Sequence, residues 1–122
     1  MKELRVVIAD DSSMIREELQ RVLSTITGIV VAGVATDGAH AFWLAQVLKP
    51  DVLVLDMSMP KVSGLQVLQE IRKKDSVMKI IIFSSDAALI LQEACLKAGA
   101  DFYLNKSQLG KLLTICQDLR GY

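Results

Sequence analysis

The sequence predicts a doubly wound α/β domain built from five βα cycles, and three observations carry that prediction. Short β-branched runs alternate with longer amphipathic stretches, the pattern of βαβ units around a parallel sheet. The runs expected at the centre of the sheet are almost wholly apolar, as strands covered by helices on both faces must be. The length of 122 residues suits one ordinary domain over residues 1–122 and is enough to bury a core. Linkers, internal repeats and low-complexity segments are not found.

The five strand segments are Arg5 to Ala9, Ile29 to Ala35, Asp51 to Leu55, Lys79 to Phe83 and Asp101 to Leu104. In the first helix, Ile15, Leu19, Val22, Leu23 and Ile26 recur at spacings of three and four, so they share one face directed at the sheet. Ser12 or Asp11 can cap it. The second helix starts after Thr36-Asp37-Gly38 and stops before Pro50, because a residue preceding proline is disfavoured in helical geometry. Ser63-Gly64-Leu65-Gln66 is a capping-box pattern, with Leu65, Leu68 and Ile71 as the buried stripe of the third helix. The fourth helix is expected from about Asp86 to Ala98, ending at Gly99. A fifth follows Ser107 and carries Leu109, Leu112, Leu113, Ile115, Cys116 and Leu119.

Composition excludes several function classes. The chain is 52% hydrophobic and 23% charged, with 14 Lys and Arg against 14 Asp and Glu. That balance gives no pull toward nucleic acid or an anionic membrane, so direct nucleic-acid binding by this chain is not expected. No apolar run approaches the roughly 20 residues needed to cross a bilayer. The amino terminus lacks a signal-peptide pattern, which points to a cytoplasmic protein. Cys95 and Cys116 sit in apolar helical patterns without metal-ligand spacing and read as buried small hydrophobes.

The chemistry sits where the strands end. Right-handed crossovers favour the strand order 2-1-3-4-5, and ligands of such sheets bind beyond the carboxyl ends, at the switch point between strands 1 and 3. Strand 1 runs into Asp10-Asp11 and strand 3 into Asp56, while strand 4 ends in Ser84-Ser85 and strand 5 in Asn105-Lys106. Three converging carboxylates repel one another unless some stay protonated or a cation neutralises them. Magnesium suits the oxygen donors and is commonly held by carboxylates together with a phosphate. Lys106 supplies a fixed positive charge, Ser84 a hydroxyl for a phosphoryl oxygen, and Asp56 is left as the nucleophile that forms an acyl phosphate.

These residues, in this order, resemble the receiver domain of two-component response regulators over the whole chain. The resemblance makes Asp10 and Asp11 the acidic pair, Asp56 in VLVLDMSMP the phosphoacceptor, Ser84 the switch hydroxyl and Lys106 the site lysine. Gly64, eight residues after Asp56, and Gly99-Ala100-Asp101 match as well. It implies a flavodoxin-like fold, and the rule for strand order counts receivers among its own examples, so that order is not an independent prediction. It further implies the backbone carbonyl of Ser58 as an additional magnesium ligand, with Ser58 tuning hydrolysis, and Tyr103 as an aromatic ring that turns inward with Ser84. The phosphoryl donor would be a histidine kinase or a histidine phosphotransfer protein. The phrases GIVVAGVATDG and DMSMPKVSGLQVL resemble most the receivers that precede helix-turn-helix output domains and related stand-alone receivers.

One departure stands out. Most receivers carry proline after the lysine, whereas this chain reads Asn105-Lys106-Ser107. Without proline a cis bond costs about 2.5 to 4 kcal/mol, so the peptide after Lys106 should be trans, with Ser107 free to cap the last helix. The ammonium of Lys106 should point at Asp56.

Blander readings compete with each assignment. Aspartates after a strand often cap a helix, a serine often closes a turn, a lysine is by default solvated, and Tyr103 could be an ordinary strand aromatic. Trp43 should be partly exposed, and His40 lies away from the carboxylates on an exposed helix face. An aspartate-nucleophile phosphatase would want a second acid where Ser58 stands, so the protein is expected to catalyse only its own phosphorylation and dephosphorylation. An FMN carrier would want a glycine-rich phosphate loop where Asp10-Asp11 stands. A pseudo-receiver, binding partners without phosphorylation, is the alternative within the same fold; it is usually marked by a lost site residue, and none is lost here. The expectation is a single-domain regulator, with the receiver half of a DNA-binding regulator as the other possibility. Phosphorylation would be read by a downstream protein or a second copy through helix 4, strand 5 and helix 5, where Gln92, Tyr103, Gln108 and Lys111 are the exposed candidates.

Overall fold

A computed structural model describes residues 3–121; Met1, Lys2 and Tyr122 lie outside the described residues. Strands and helices alternate along the chain: β1 (Leu4–Ala9), α1 (Ser13–Ser24), β2 (Ile29–Ala35), α2 (Gly38–Leu48), β3 (Val52–Leu55), α3 (Gly64–Arg72), β4 (Lys79–Ser84), α4 (Leu89–Lys97), β5 (Phe102–Asn105) and α5 (Leu109–Arg120). The strands form one parallel sheet in the order β2-β1-β3-β4-β5, as the sequence predicts. No helix among the described residues is long and apolar enough to cross a membrane.

The alternation of side chains along a strand divides the core into two. Val7, Leu53, Leu55, Ile80 and Ile82 pack with Leu44, Leu68, Ile71 and Cys95, so α2, α3 and α4 cover one face. Val6, Ile8, Val52, Val54, Ile81 and Phe83 pack with Leu19, Leu23, Leu112, Ile115 and Cys116, so α1 and α5 cover the other. β3 is buried along its whole length, which is why its sequence carries no polar alternation. Both cysteines are buried, as expected.

The starts of α1, α2 and α3 follow local signals closely. The Ser12 side chain accepts from the Ile15 N–H, Asp37 accepts from His40, and Ser63 and Gln66 form the capping box. Gly64 is required at the head of α3, because a Cβ there would collide with the Asp56 carbonyl. The α3 stripe includes Val67, fully buried beside Leu68 and Ile71, whereas Leu65 is half-buried.

Strand ends match to within one residue, α1 stops at Ser24 so that Ile26 lies just past it, and two helix starts depart from expectation. α4 begins at Leu89 rather than Asp86, because the Asp86 carboxylate accepts from the Ala88 N–H and holds this stretch in a turn. Ser107 does not cap α5. Its N–H donates to the Asn105 side chain, Gln108 takes the N-cap place without a side-chain bond, and Gln108 reaches back to the Asn105 N–H. Competing local hydrogen bonds settle the loop before the helix starts. The peptide after Lys106 is trans, as expected; among the described residues none is cis.

Candidate functional site

Among the described residues only three polar side chains are buried: Asp10, Asp56 and Ser84, at 2%, 3% and 2% exposure. All three stand at the carboxyl ends of neighbouring strands. β1 and β3 are in register up to Ala9 and Leu55, so the next residues, Asp10 and Asp56, emerge side by side. Main-chain bonds fix both, from the Asp10 N–H to the Ala35 carbonyl at 3.1 Å and from the Asp56 N–H to the Ala9 carbonyl at 2.9 Å. Asp11, exposed at the rim, completes a cluster in which one carboxylate oxygen from each residue lies within 4.8 Å of the others.

Lys106 reaches into this cluster from the end of β5. Its ammonium lies 2.8 Å from Asp10 Oδ2 and 3.5 Å from Asp56 Oδ2. The lysine thus spans both carboxylates and sits nearer Asp10, where the sequence reading aimed it at Asp56. Its N–H donates to the Ser84 carbonyl at 2.9 Å, which ties the lysine to the strand that carries the hydroxyl.

Charge and burial oppose each other here. Burial pushes the Asp56 carboxyl above the usual carboxylate range, the charge of Asp10 pushes the same way, and Lys106 works against both. Burial alone would lower the Lys106 pKa, but the hydrogen bond to Asp10 and the charges of Asp56 and Asp10 outweigh it and leave it above the ordinary lysine value. Three carboxylates against one ammonium form a set of hard oxygen donors with an uncompensated negative charge, which fits a small divalent cation.

The remaining predicted residues spread outward from this centre. Ser58 is exposed, and its N–H points at Asp56 Oδ1 at 3.4 Å. Ser84 Oγ accepts from the Asp86 N–H at 3.1 Å. The Tyr103 hydroxyl donates to the Asp86 carbonyl at 2.8 Å, so the β4–α4 loop carries both the serine contact and the tyrosine contact. Tyr103, which packs against the core, and Gln92 are half-buried rather than exposed, while Gln108 and Lys111 face solvent. Trp43 is exposed, and His40 stacks on it away from the carboxylates.

One contributor escapes sequence reading. Arg16, in the second turn of α1, donates to the Asp10 carbonyl at 2.9 Å and holds the main chain that presents the acidic pair. Its place on α1 next to the N-terminal turn was the available signal, yet nothing separates it from a solvated helix arginine until the helix is docked.

A five-stranded doubly wound sheet with a buried carboxylate pair, a third acid and a bridging lysine at the switch point defines an α/β domain with a site suited to a divalent cation. Comparison with known proteins gives the family. The family model of the response regulator receiver domain matches residues 6–117, and the chain belongs to that family. It is 36% identical to the chemotaxis protein CheY of Thermotoga maritima, over 84% of each chain. It is 30% identical to a protein-glutamate methylesterase/protein-glutamine glutaminase of Treponema denticola, over 98% of this chain but 33% of that protein, so it spans about a third of that relative. Among solved structures, a DNA-binding response regulator of the LuxR family from Staphylococcus aureus superposes with a TM-score of 0.90 at 26% identity, covering 97% of this chain and 99% of that one. The chain is therefore a receiver domain of the two-component response-regulator kind, a family of phosphoacceptor switches with an acidic magnesium pocket.

Proposed function

We propose that Asp56 is the phosphoacceptor and that the chain switches partner binding when a histidine kinase or a histidine phosphotransfer protein phosphorylates it. The observation that carries this reading is the burial of Asp56 beside Asp10, with Lys106 bridging the two. A carboxylate oxygen of Asp56 attacks the phosphorus of a phosphohistidine; the new O–P bond forms as the N–P bond breaks, and the imidazole leaves. Lys106 favours the ionised nucleophile and faces the charge that gathers on the phosphoryl oxygens. Asp10, Asp11, Asp56 and the Ser58 backbone carbonyl are the groups that would hold magnesium. Bound there, the ion supplies positive charge against the phosphoryl oxygens.

Output follows from the second half of the sheet. Ser84 binds a phosphoryl oxygen and gives up its contact with Asp86, the β4–α4 loop shifts, and the Tyr103 hydroxyl loses its present carbonyl. The surface of α4, β5 and α5 then changes shape, and a downstream protein or a second copy reads it. The chain is a switch that catalyses only its own phosphorylation and dephosphorylation. Intact mass after incubation with acetyl phosphate and magnesium tests the reading: one phosphoryl adduct is expected on the native chain and none on Asp56→Asn. An adduct of equal yield on both would sink the assignment.

A further inference from the structure

α4 is held to the body by little. Cys95 is its one fully buried side chain, Leu91 is half-buried against the core, the N-cap Ala88 makes no side-chain bond, and Leu89, Ile90 and Leu96 face outward. That single buried group places its Sγ 3.3 Å from the Sδ of Met57. Met57 directly follows Asp56, is itself buried, and accepts through its carbonyl from the Gly64 N–H at 3.0 Å. Its main chain is thus pinned between Asp56 and the head of α3. The Cys95 carbonyl accepts from the Ala100 N–H at 3.0 Å, which anchors the end of α4 to the turn before β5. Cys95 therefore lies between the turn that leads into β5 and the Asp56 loop, in contact with the latter through sulfur.

The two polarizable sulfurs fill the gap between α4 and the Asp56 loop, so a displacement of one side chain is passed to the other through packed volume. Burial pushes the Cys95 thiol up, which keeps it an uncharged packing group, and no solvent-borne chemistry at the sulfur is invoked. We propose that Cys95 is a positioning residue that couples the docking of α4 to the Asp56 loop through Met57. This packing route runs beside the polar one that links Ser84 and Asp86 to Tyr103. It rests on the reading of Asp56 as phosphoacceptor.

Hydrogen exchange on the full chain, with and without beryllofluoride and magnesium, tests it. In the native chain beryllofluoride should alter exchange in the Asp56 loop and in 89–97, and Asp56→Asn should abolish both changes; no change in the native chain overturns the functional reading, and the coupling with it. Given that response, Cys95→Ala and Met57→Leu should each keep the change at the Asp56 loop while the change in α4 shrinks by about fivefold or more. The double variant should lose no more than either single one, since both remove one contact. Cys95→Val, which refills the volume, should restore most of the α4 response. The coupling is overturned if α4 responds at native size in both single variants, or if Cys95→Val restores nothing. Uniform acceleration of exchange across β1, β3 and β4 in both also overturns it, because that marks a general loss of packing.

Discussion

Two sets of three aspartates, Asp51, Asp75 and Asp101 at the amino ends of the strands and Asp10, Asp11 and Asp56 at the carboxyl ends, are used in opposite ways. At the amino ends, Asp51 Oδ2 accepts from the Arg5 N–H at 2.8 Å, Asp75 Oδ1 from Val77 and Met78 at 2.7 and 2.9 Å, and Asp101 Oδ2 from Ile80 at 2.8 Å and Arg72 at 2.9 Å. Each of these carboxylates closes a strand or a turn with donors of its own. At the carboxyl ends Asp10 and Asp56 face each other in a buried crevice with one lysine between them. A cavity of about 350 Å³ opens at the amino end, lined in part by Pro50, Asp51, Asp75 and Met78, yet its carboxylates are already taken up by backbone N–H groups. Unmet charge, rather than acid count or hollow volume, marks the functional end.

The sharpest break between the two ends is chemical. Asp56→Asn should lose acyl-phosphate formation completely, whereas Asp101→Asn should retain it; equal loss in both, read by intact mass, would erase the distinction. Stability should show the reverse ranking. Asp101→Ala leaves the Ile80 N–H and the Arg72 Nη2 without their acceptor, so unfolding in urea should show a loss of about 1 to 3 kcal/mol. Magnesium separates the ends again, since a ligand at ten times its Kd stabilises by about 1.4 kcal/mol. Thermal denaturation should move upward with magnesium in the native chain and stay put in Asp11→Ala, while Asp75→Asn keeps the native response.

The smallest effect is one of sign, measured without divalent cations. The folded pKa of Asp56 is raised above 3.8 by burial and by Asp10, so its contribution to stability is fully present below that value and is lost as pH rises through the folded pKa. Asp56→Asn should therefore gain on the native chain as pH rises out of the acid range. For Asp75 the N–H groups of Met78 and Val77 hold the pKa below 3.8, so its contribution is present above 3.8 and is lost as pH falls through the folded value. The deficit of Asp75→Asn should shrink with acid. Difference curves of the same slope for the two variants would overturn the comparison.

Much of this molecule is written locally. The five apolar runs, the Ser12 and Asp37 caps, the capping box at Ser63 and Gln66, and the acids that close β1 and β3 are legible in the sequence. Periodicity and capping act over a few residues and so survive in a linear reading. The convergence of Asp10, Asp11, Asp56 and Lys106 is legible too, because a parallel sheet with this order brings every strand's carboxyl end to one edge.

What tertiary structure decided lies between elements. Lys106 could be placed near the acids from its position after β5, but its closer approach to Asp10 than to Asp56 depends on how strands and loops are spaced across the sheet. The late start of α4 and the uncapped start of α5 came from side chains that satisfied loop N–H groups first, a competition that pattern alone does not rank. Arg16 on the Asp10 carbonyl needs α1 docked before it has a partner. The Cys95–Met57 contact joins residues 38 apart in sequence, and no local preference records it, because packing is set by which helix faces fall together once the sheet has closed.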